Sequence, residues 1–471
     1  MTQSARGGAS FFCKECGNET PRWAGRCPAC GQWNTVVEAP REGGRRSRWT
    51  PGATPEPVQL SEVTTESAPR IALSSAELNR VLGGGVVPGS VLLLAGDPGV
   101  GKSTLLLQAA SALAERREVL YVSGEESAHQ VRLRAERLGV RGERIFLLSE
   151  TSTDAVLARL AERAPSAVVI DSIQTLWSEA VPSAPGSVNQ VRECARALMQ
   201  WAKTSHTPVL MAGHVTKDGD VAGPRVLEHM VDVVLYLEGE SAGGLRLLRT
   251  TKNRFGSTNE VAVFQMGPTG LAEVPDPSQA LLANRRHAQV GDVVTPVLEG
   301  TRPMMMEVQA LTSPTTAPVP RRLTTGLEQT RLVMLCAVLG QRARMPLGGC
   351  DVIANVAGGF RVSEPAADLA VALAVASSLR GVPVPMDLVA TGEVSLSGEL
   401  RWAPQMERRL RESARVGFKR AVIPTVRGEP LPDLGLQILE AGTLSEAIRA
   451  VLGRSSGTRG REEGEDVFAK G

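Results

Sequence analysis

The chain has 471 residues, which at roughly 150 residues per domain points to about three domains. Hydrophobic residues make up 42%, aromatic residues only 3%, and the formal net charge is +2. These values argue against a broad base-stacking platform or a globally basic binder, so nucleic-acid contacts need a local patch. No run of 18 or more apolar residues marks a membrane span, and the N-terminus lacks the apolar centre of a signal peptide. A cytoplasmic protein with no membrane contact is expected.

The first predicted element, residues 1–37, is a zinc-binding module. Four of the seven cysteines fall within eighteen residues, as Cys13, Cys16, Cys27 and Cys30 in "CKECGNETPRWAGRCPAC". Two C-x2-C knuckles supply four thiolates to one Zn²⁺, which leaves no open position and makes the site structural. Trp23 and Trp33 are read as covers for the small core rather than as base-stacking surfaces. Cys194, Cys336 and Cys350 are lone residues in apolar segments and are read as packing. The first fifty residues are locally basic, with eight Lys or Arg against four Glu. Residues 38–57, "EAPREGGRRSRWTPGATPEP", have no hydrophobic period and read as a linker.

Residues 58–273 alternate buried-strand runs with helical stretches: "SVLLLAG", "STLLLQAASALAER", "EVLYVSG", "SAVVIDS", "VNQVRECARALMQWAKT" and "PVLMAG". Continuous Val/Ile/Leu strands separated by helices predict an α/β fold with a parallel sheet covered on both faces. Between the first strand and helix stands "GDPGVGKST", a G-x4-G-K-[ST] phosphate loop. Gly96, Asp97, Pro98, Gly99, Val100, Gly101, Lys102, Ser103 and Thr104 are therefore the expected ATP-binding residues. Backbone amides and the helix N-terminus wrap the phosphates, Lys102 reaches the β/γ-phosphates, and Ser103 ligates Mg²⁺. Asp171 ends the strand "AVVID", where a second acid holds Mg²⁺ through water. Glu125 and Glu126, after "YVSG", are the candidates to polarise the attacking water, with Glu125 preferred. "KNRFG" (252–256) lies at an apparent turn between two strands; its cations either sit in water or reach a phosphate elsewhere.

"LGGGVVPGSVLLLAGDPGVGKST", the acidic pair and "VVIDS" resemble the core shared by RecA-type recombinases and DnaB-type replicative helicases. "TKNRFGSTNEVAVF" resembles the helicase hairpin whose Lys and Arg enter a neighbouring subunit's ATP site. With the four-cysteine knuckle, "KNRFG" is similar to the signature of the bacterial RadA family of DNA-repair proteins. The resemblance runs from Cys13 to about residue 450. It implies a homohexameric, ATP-driven motor on single-stranded and branched DNA that extends recombination branches with RecA. It also implies that Lys252 and Arg254 act in trans, as an arginine finger does. In such rings the channel loops would be 178–190 and 214–225, read as mobile, with Lys217 and Arg225 as candidate phosphate contacts. A nucleotide-switched ring scaffold, as in clock-type ring ATPases, is the alternative reading.

After the punctuation "EVPDPSQA" (273–280), residues 280–452 form an αβ mixture resembling the proteolytic domain of Lon, in "DVIANVAGGFRVSEPAADLAVALAVASS", "ATGEVSLSGELR" and "GFKRAVIP". Matching those motifs puts Asp368 where the nucleophilic Ser belongs and Arg409 where the Lys base belongs. Asp is a poor peptide nucleophile and Arg stays protonated, so a proteolytically inactive scaffold is expected and an ATP-dependent protease is disfavoured. The tail 453–471 is charged, poor in apolar residues and expected to be disordered.

Overall fold

The computed structural model describes residues 11–13, 19–20, 22–28, 31–38, 59, 69–115, 117–214, 225–239, 244–283, 285–426 and 430–453. Almost all of the expected linker and tail, together with Cys16, Cys30 and Lys217, lie outside them. The chain divides between Pro275 and Asp276 into two compact units. Among the described residues no helix is long and apolar enough to cross a membrane.

The first unit opens with a small antiparallel sheet, β1 (Phe11–Cys13) between β2 (Glu19–Thr20) and β3 (Val36–Glu38). Its buried residues are Cys13, Cys27 and Val36, with Phe11 packed against them. That core holds no indole. Trp23 and Trp33 are 61% and 68% exposed, which overturns their reading as core covers.

The rest of the first unit is built on a larger sheet. Its strands are β4 (Val91–Gly96), β5 (Val119–Ser123), β6 (Ile145–Ser149), β7 (Ala167–Asp171), β8 (Val209–His214), β9 (Val233–Glu238), β10 (Leu245–Asn253), β11 (Val261–Gly267) and β12 (Gly270–Glu273). Their spatial order is β12-β11-β10-β9-β4-β8-β7-β5-β6. Strands β9 to β6 in that order pair in parallel, whereas β9 to β12 continue as an antiparallel meander. Side-chain alternation along β4 supplies both cores. Leu92 and Leu94 pack on the face of α1 (Ala76–Leu82) and α2 (Lys102–Ala114), and Val91 and Leu93 on that of α4 (Thr153–Arg163) and α5 (Val188–Ser205). α3 (Ala128–Arg137) starts at a reciprocal Ser127–Gln130 capping box, and α6 (Arg225–Glu228) precedes β9.

The second unit has the sheet order β15-β16-β14-β13-β17-β20-β21. Its long pair is β13 (Asp292–Glu299) with β14 (Arg302–Pro314), flanked by β15 (Arg322–Thr325), β16 (Cys350–Val356), β17 (Leu388–Ala390), β20 (Arg420–Pro424) and β21 (Gln437–Ala441). A short hairpin, β18 (Glu393–Val394) with β19 (Leu400–Arg401), stands apart. Among its helices, which begin with α7 (Pro277–Leu282), α8 (Gln329–Arg342), α9 (Asp368–Arg380) and α11 (Leu444–Leu452) share one core, and α10 (Met406–Val416) packs with the other. Every residue of α9 from Asp368 to Ser377 is buried, as an apolar-all-round helix requires. Cys194 and Cys336 are buried packing residues and Cys350 is half-buried.

Candidate nucleotide and metal sites

The phosphate loop turns sharply between β4 and α2. At Gly96 a Cβ would sit 2.4 Å from the carbonyl oxygen of Leu237 on the neighbouring strand, so only glycine fits. Gly99 has φ of 76° and meets nothing within 4 Å, leaving the mouth of the loop open to a phosphate. Val100 closes the inner side, and Thr104 continues α2 behind Ser103. The buried Lys102 ammonium donates to the carbonyls of Gly96 and Asp97, both at 2.9 Å. Burial pulls its pKa down, against the opposing charges of Asp171, Glu125 and Asp97. A buried cation resting on loop carbonyls fits a site whose anion replaces those contacts.

Asp171 lies at the end of β7, beside Ser123 of β5. Ser103 Oγ donates to its Oδ1 at 3.1 Å, so the two expected magnesium-holding residues touch. Tyr121, Arg134 and Ser172 were not legible as site residues. The buried Tyr121 hydroxyl donates to Asp171 Oδ2 at 2.7 Å, and its own pKa is driven up by burial, then by Asp171. Arg134, from α3, ion-pairs with Glu126 and stands 3.8 Å from Asp171. Ser172 Oγ donates to Glu125 Oε1 at 2.6 Å. The acidic pair is thereby divided: Glu126 is committed to a guanidinium, and Glu125 is oriented beside Asp171. Glu126 Oε2 lacks a hydrogen-bond partner among the described residues, and an acceptor there, near the Asp171 carboxylate and the Ser103 hydroxyl, suits the donating waters of a hydrated magnesium.

The "KNRFG" turn joins β10 to β11. Asn253 Oδ1 accepts from Phe255 N at 2.9 Å, an Asx turn, and Arg70 donates to the Phe255 carbonyl at 2.6 Å. Both cations reach the segment before β9. Lys252 Nζ donates to the carbonyls of Glu228 (2.7 Å) and His229 (3.2 Å), and Arg254 Nη1 pairs with Asp232 Oδ1 at 3.1 Å. Burial and the neighbouring Arg254 lower the Lys252 pKa. Strand register fixes where this lies. Lys252 pairs with Val234 and Asn253 with Val233, which in turn pair with Leu93 and Leu92. Asn253 is thus four residues behind Gly96, about 13 Å along the strand, at the edge away from its own phosphate loop.

In the N-terminal sheet, Cys13 and Cys27 are both buried. Cys27 opens a knuckle in which Gly31 N donates to Cys27 O and Cys27 N donates to Gln32 O, each at 2.9 Å. Two sheltered thiols, one at a strand end and one in a knuckle, fit a closed structural zinc site; Cys16 and Cys30 complete the sequence pattern. Of the expected channel loops, 214–225 lies almost wholly outside the described residues, and Arg225 opens α6. The 178–190 loop is anchored rather than loose. Buried Gln190 accepts from Ser178 N and donates to the carbonyls of Ser178, Val181 and Ser183 at 2.8–3.1 Å.

In the second unit, Asp368 is buried under Arg331, whose Nε donates to Oδ1 at 2.7 Å, and it also accepts from Val394 N at 3.1 Å. Burial raises the Asp368 pKa against the pull of Arg331. Arg409, 1% exposed, forks onto Glu364 (2.7 and 2.5 Å) and donates to the carbonyls of Pro296 and Pro404. Each is locked into its own ion pair.

Three family models match along the chain: a rubredoxin metal binding domain over residues 11–38, an AAA domain over 54–220, and the subunit ChlI of Mg-chelatase over 341–427. The DNA repair protein RadA of Pseudomonas aeruginosa is 49% identical over 445 residues, covering 94% of this chain and 98% of its own. The chain belongs to the RadA family of DNA repair proteins. RadA of Bacillus subtilis is 46% identical (94% and 99% covered), and RadA of Brucella abortus 45% identical (95% and 98%). This RadA-family chain thus has a RecA-like P-loop ATPase core, an N-terminal zinc ribbon and a ChlI/Lon-like C-terminal domain.

Proposed function

We propose that the protein is a DNA-dependent ATPase, a ring-shaped homohexameric motor that moves on single-stranded DNA and promotes branch migration of recombination intermediates with RecA. The observation that carries this reading is the position of Lys252 and Arg254, at the sheet edge away from their own phosphate loop. Their distance from their own γ-phosphate site supports a role at the site of another copy.

Within one subunit, Lys102 leaves the Gly96 and Asp97 carbonyls to hold the β/γ-phosphates. Ser103 and Asp171 would hold Mg²⁺, which when bound neutralises charge developing between the phosphates. Tyr121 fixes the Asp171 carboxylate through Oδ2, leaving Oδ1 toward Ser103. Glu125, aimed by Ser172, takes the proton of the attacking water, while Arg134 keeps Glu126 out of that role. From the next subunit, Lys252 gives up two carbonyls and Arg254 gives up Asp232 to meet the γ-phosphate. The ion-paired Asp368 and Arg409 favour a scaffold role for the C-terminal domain over proteolysis. Single-stranded DNA should stimulate ATP turnover at least severalfold. Turnover indifferent to DNA would instead favour the nucleotide-switched scaffold.

A further inference from the structure

We propose that Trp23 and Trp33 form a base-stacking site for single-stranded DNA on the zinc ribbon, a role that rests on the motor reading above. The two indoles are the large exposed hydrophobic side chains of the ribbon's described residues. They are not scattered. A Cβ placed on Gly25 would lie 3.7 Å from Cη2 of Trp23 and 3.9 Å from Cζ3 of Trp33, so both six-membered rings close on the same glycine.

Backbone pairing holds the arrangement. Arg26 and Trp33 form an antiparallel bridge, and Asn34 N donates to Gly25 O at 2.7 Å. Arg26 Nε donates to Gly31 O at 2.7 Å, and its guanidinium lies 5.9 Å from the Trp33 ring centroid, within reach of a cation–π contact. Among the described residues from 22 to 34, the charged side chains are Arg22 and Arg26, both cationic. Two exposed indoles beside these cations match an unpaired strand, whose bases offer π-faces and whose backbone is anionic. A duplex keeps its bases stacked inside and cannot enter. A protein partner would call for a wider apolar centre around its aromatic anchors, and among its described residues the ribbon exposes no large aliphatic side chain.

The test uses the full-length chain with a non-hydrolysable ATP analogue, zinc content measured for each preparation, and fluorescein-labelled oligothymidine read by anisotropy. Trp23→Ala and Trp33→Ala should each weaken binding roughly 5- to 150-fold, while Trp→Phe at either position stays within a few-fold of wild type. Wild type should bind an abasic strand of equal length about as weakly as the double alanine variant binds oligothymidine. Zinc-replete alanine variants that bind like wild type would overturn the proposal. So would a wild type that does not distinguish the abasic strand, a comparison that stands even where an alanine variant fails to fold. A wild type that binds no single strand at all removes the motor reading as well.

Discussion

Replacing Arg409 with methionine removes a guanidinium that is almost wholly enclosed and leaves the Glu364 carboxylate, itself 22% exposed, without its fork partner. The Pro296 and Pro404 carbonyls lose their donors too. Breaking a buried pair by removing one member costs about 3–5 kcal/mol. Glu364 keeps the Leu298 amide at 2.8 Å, which places the loss near the lower end, about 3 kcal/mol. With a urea slope on the order of 2–3 kcal/mol per molar, the midpoint for the C-terminal domain should fall by about 1–1.5 M. Trp402 is the one tryptophan in the sequence after Pro275, so its fluorescence reports on that domain. Adding Glu364→Gln should recover part of the loss, a coupling of about 1–2 kcal/mol. A single-variant loss below about 1 kcal/mol would refute the reasoning, because the guanidinium would then be free in solution.

Four further outcomes follow from the site geometry. Lys102→Ala should abolish tight ATP binding in equilibrium titration. Glu125→Gln should bind ATP yet hydrolyse it roughly 10²- to 10⁴-fold more slowly, with Glu126→Gln milder; equal rates for wild type and Glu125→Gln would reassign the base. Tyr121→Phe frees Asp171 Oδ2, so half-maximal turnover should need roughly 10- to 100-fold more Mg²⁺. Cys27→Ser should lose the one zinc expected per chain by metal analysis while leaving ATP binding in place.

The parts of the site carried by contiguous chain were legible in the sequence. "GDPGVGKST" states its strand, loop and helix locally, and "AVVID" places Asp171 at a strand end because buried parallel strands read as unbroken apolar runs. Tyr121, Arg134 and Ser172 come from a strand, a helix and a loop that meet only when β5 and β7 pair, so nothing local marked them. Gln190 sits twelve residues from the Ser178 that it ties, and a composition rich in Gly and Pro therefore read as mobility. The tryptophans misled for a different reason. Residue type predicts burial when a core is large, and the described core of this ribbon is only Cys13, Cys27 and Val36 with Phe11 packed against them. For "KNRFG", the sequence supplied the two cations, but only the β9–β10 register puts them out of reach of their own nucleotide.

Subunit mixing tests that placement most directly. Lys252→Ala subunits retain their own phosphate loop and should bind ATP, yet turn it over on the order of 10³-fold more slowly, as loss of a trans cation does. Lys102→Ala subunits lack a working loop but keep the Lys252–Arg254 pair. Mixing the two inactive proteins places some intact loops against intact pairs, so DNA-stimulated ATP hydrolysis should partly return, in proportion to mixed interfaces. Normal hydrolysis by Lys252→Ala alone, or no recovery in mixtures shown to exchange subunits, would contradict the account.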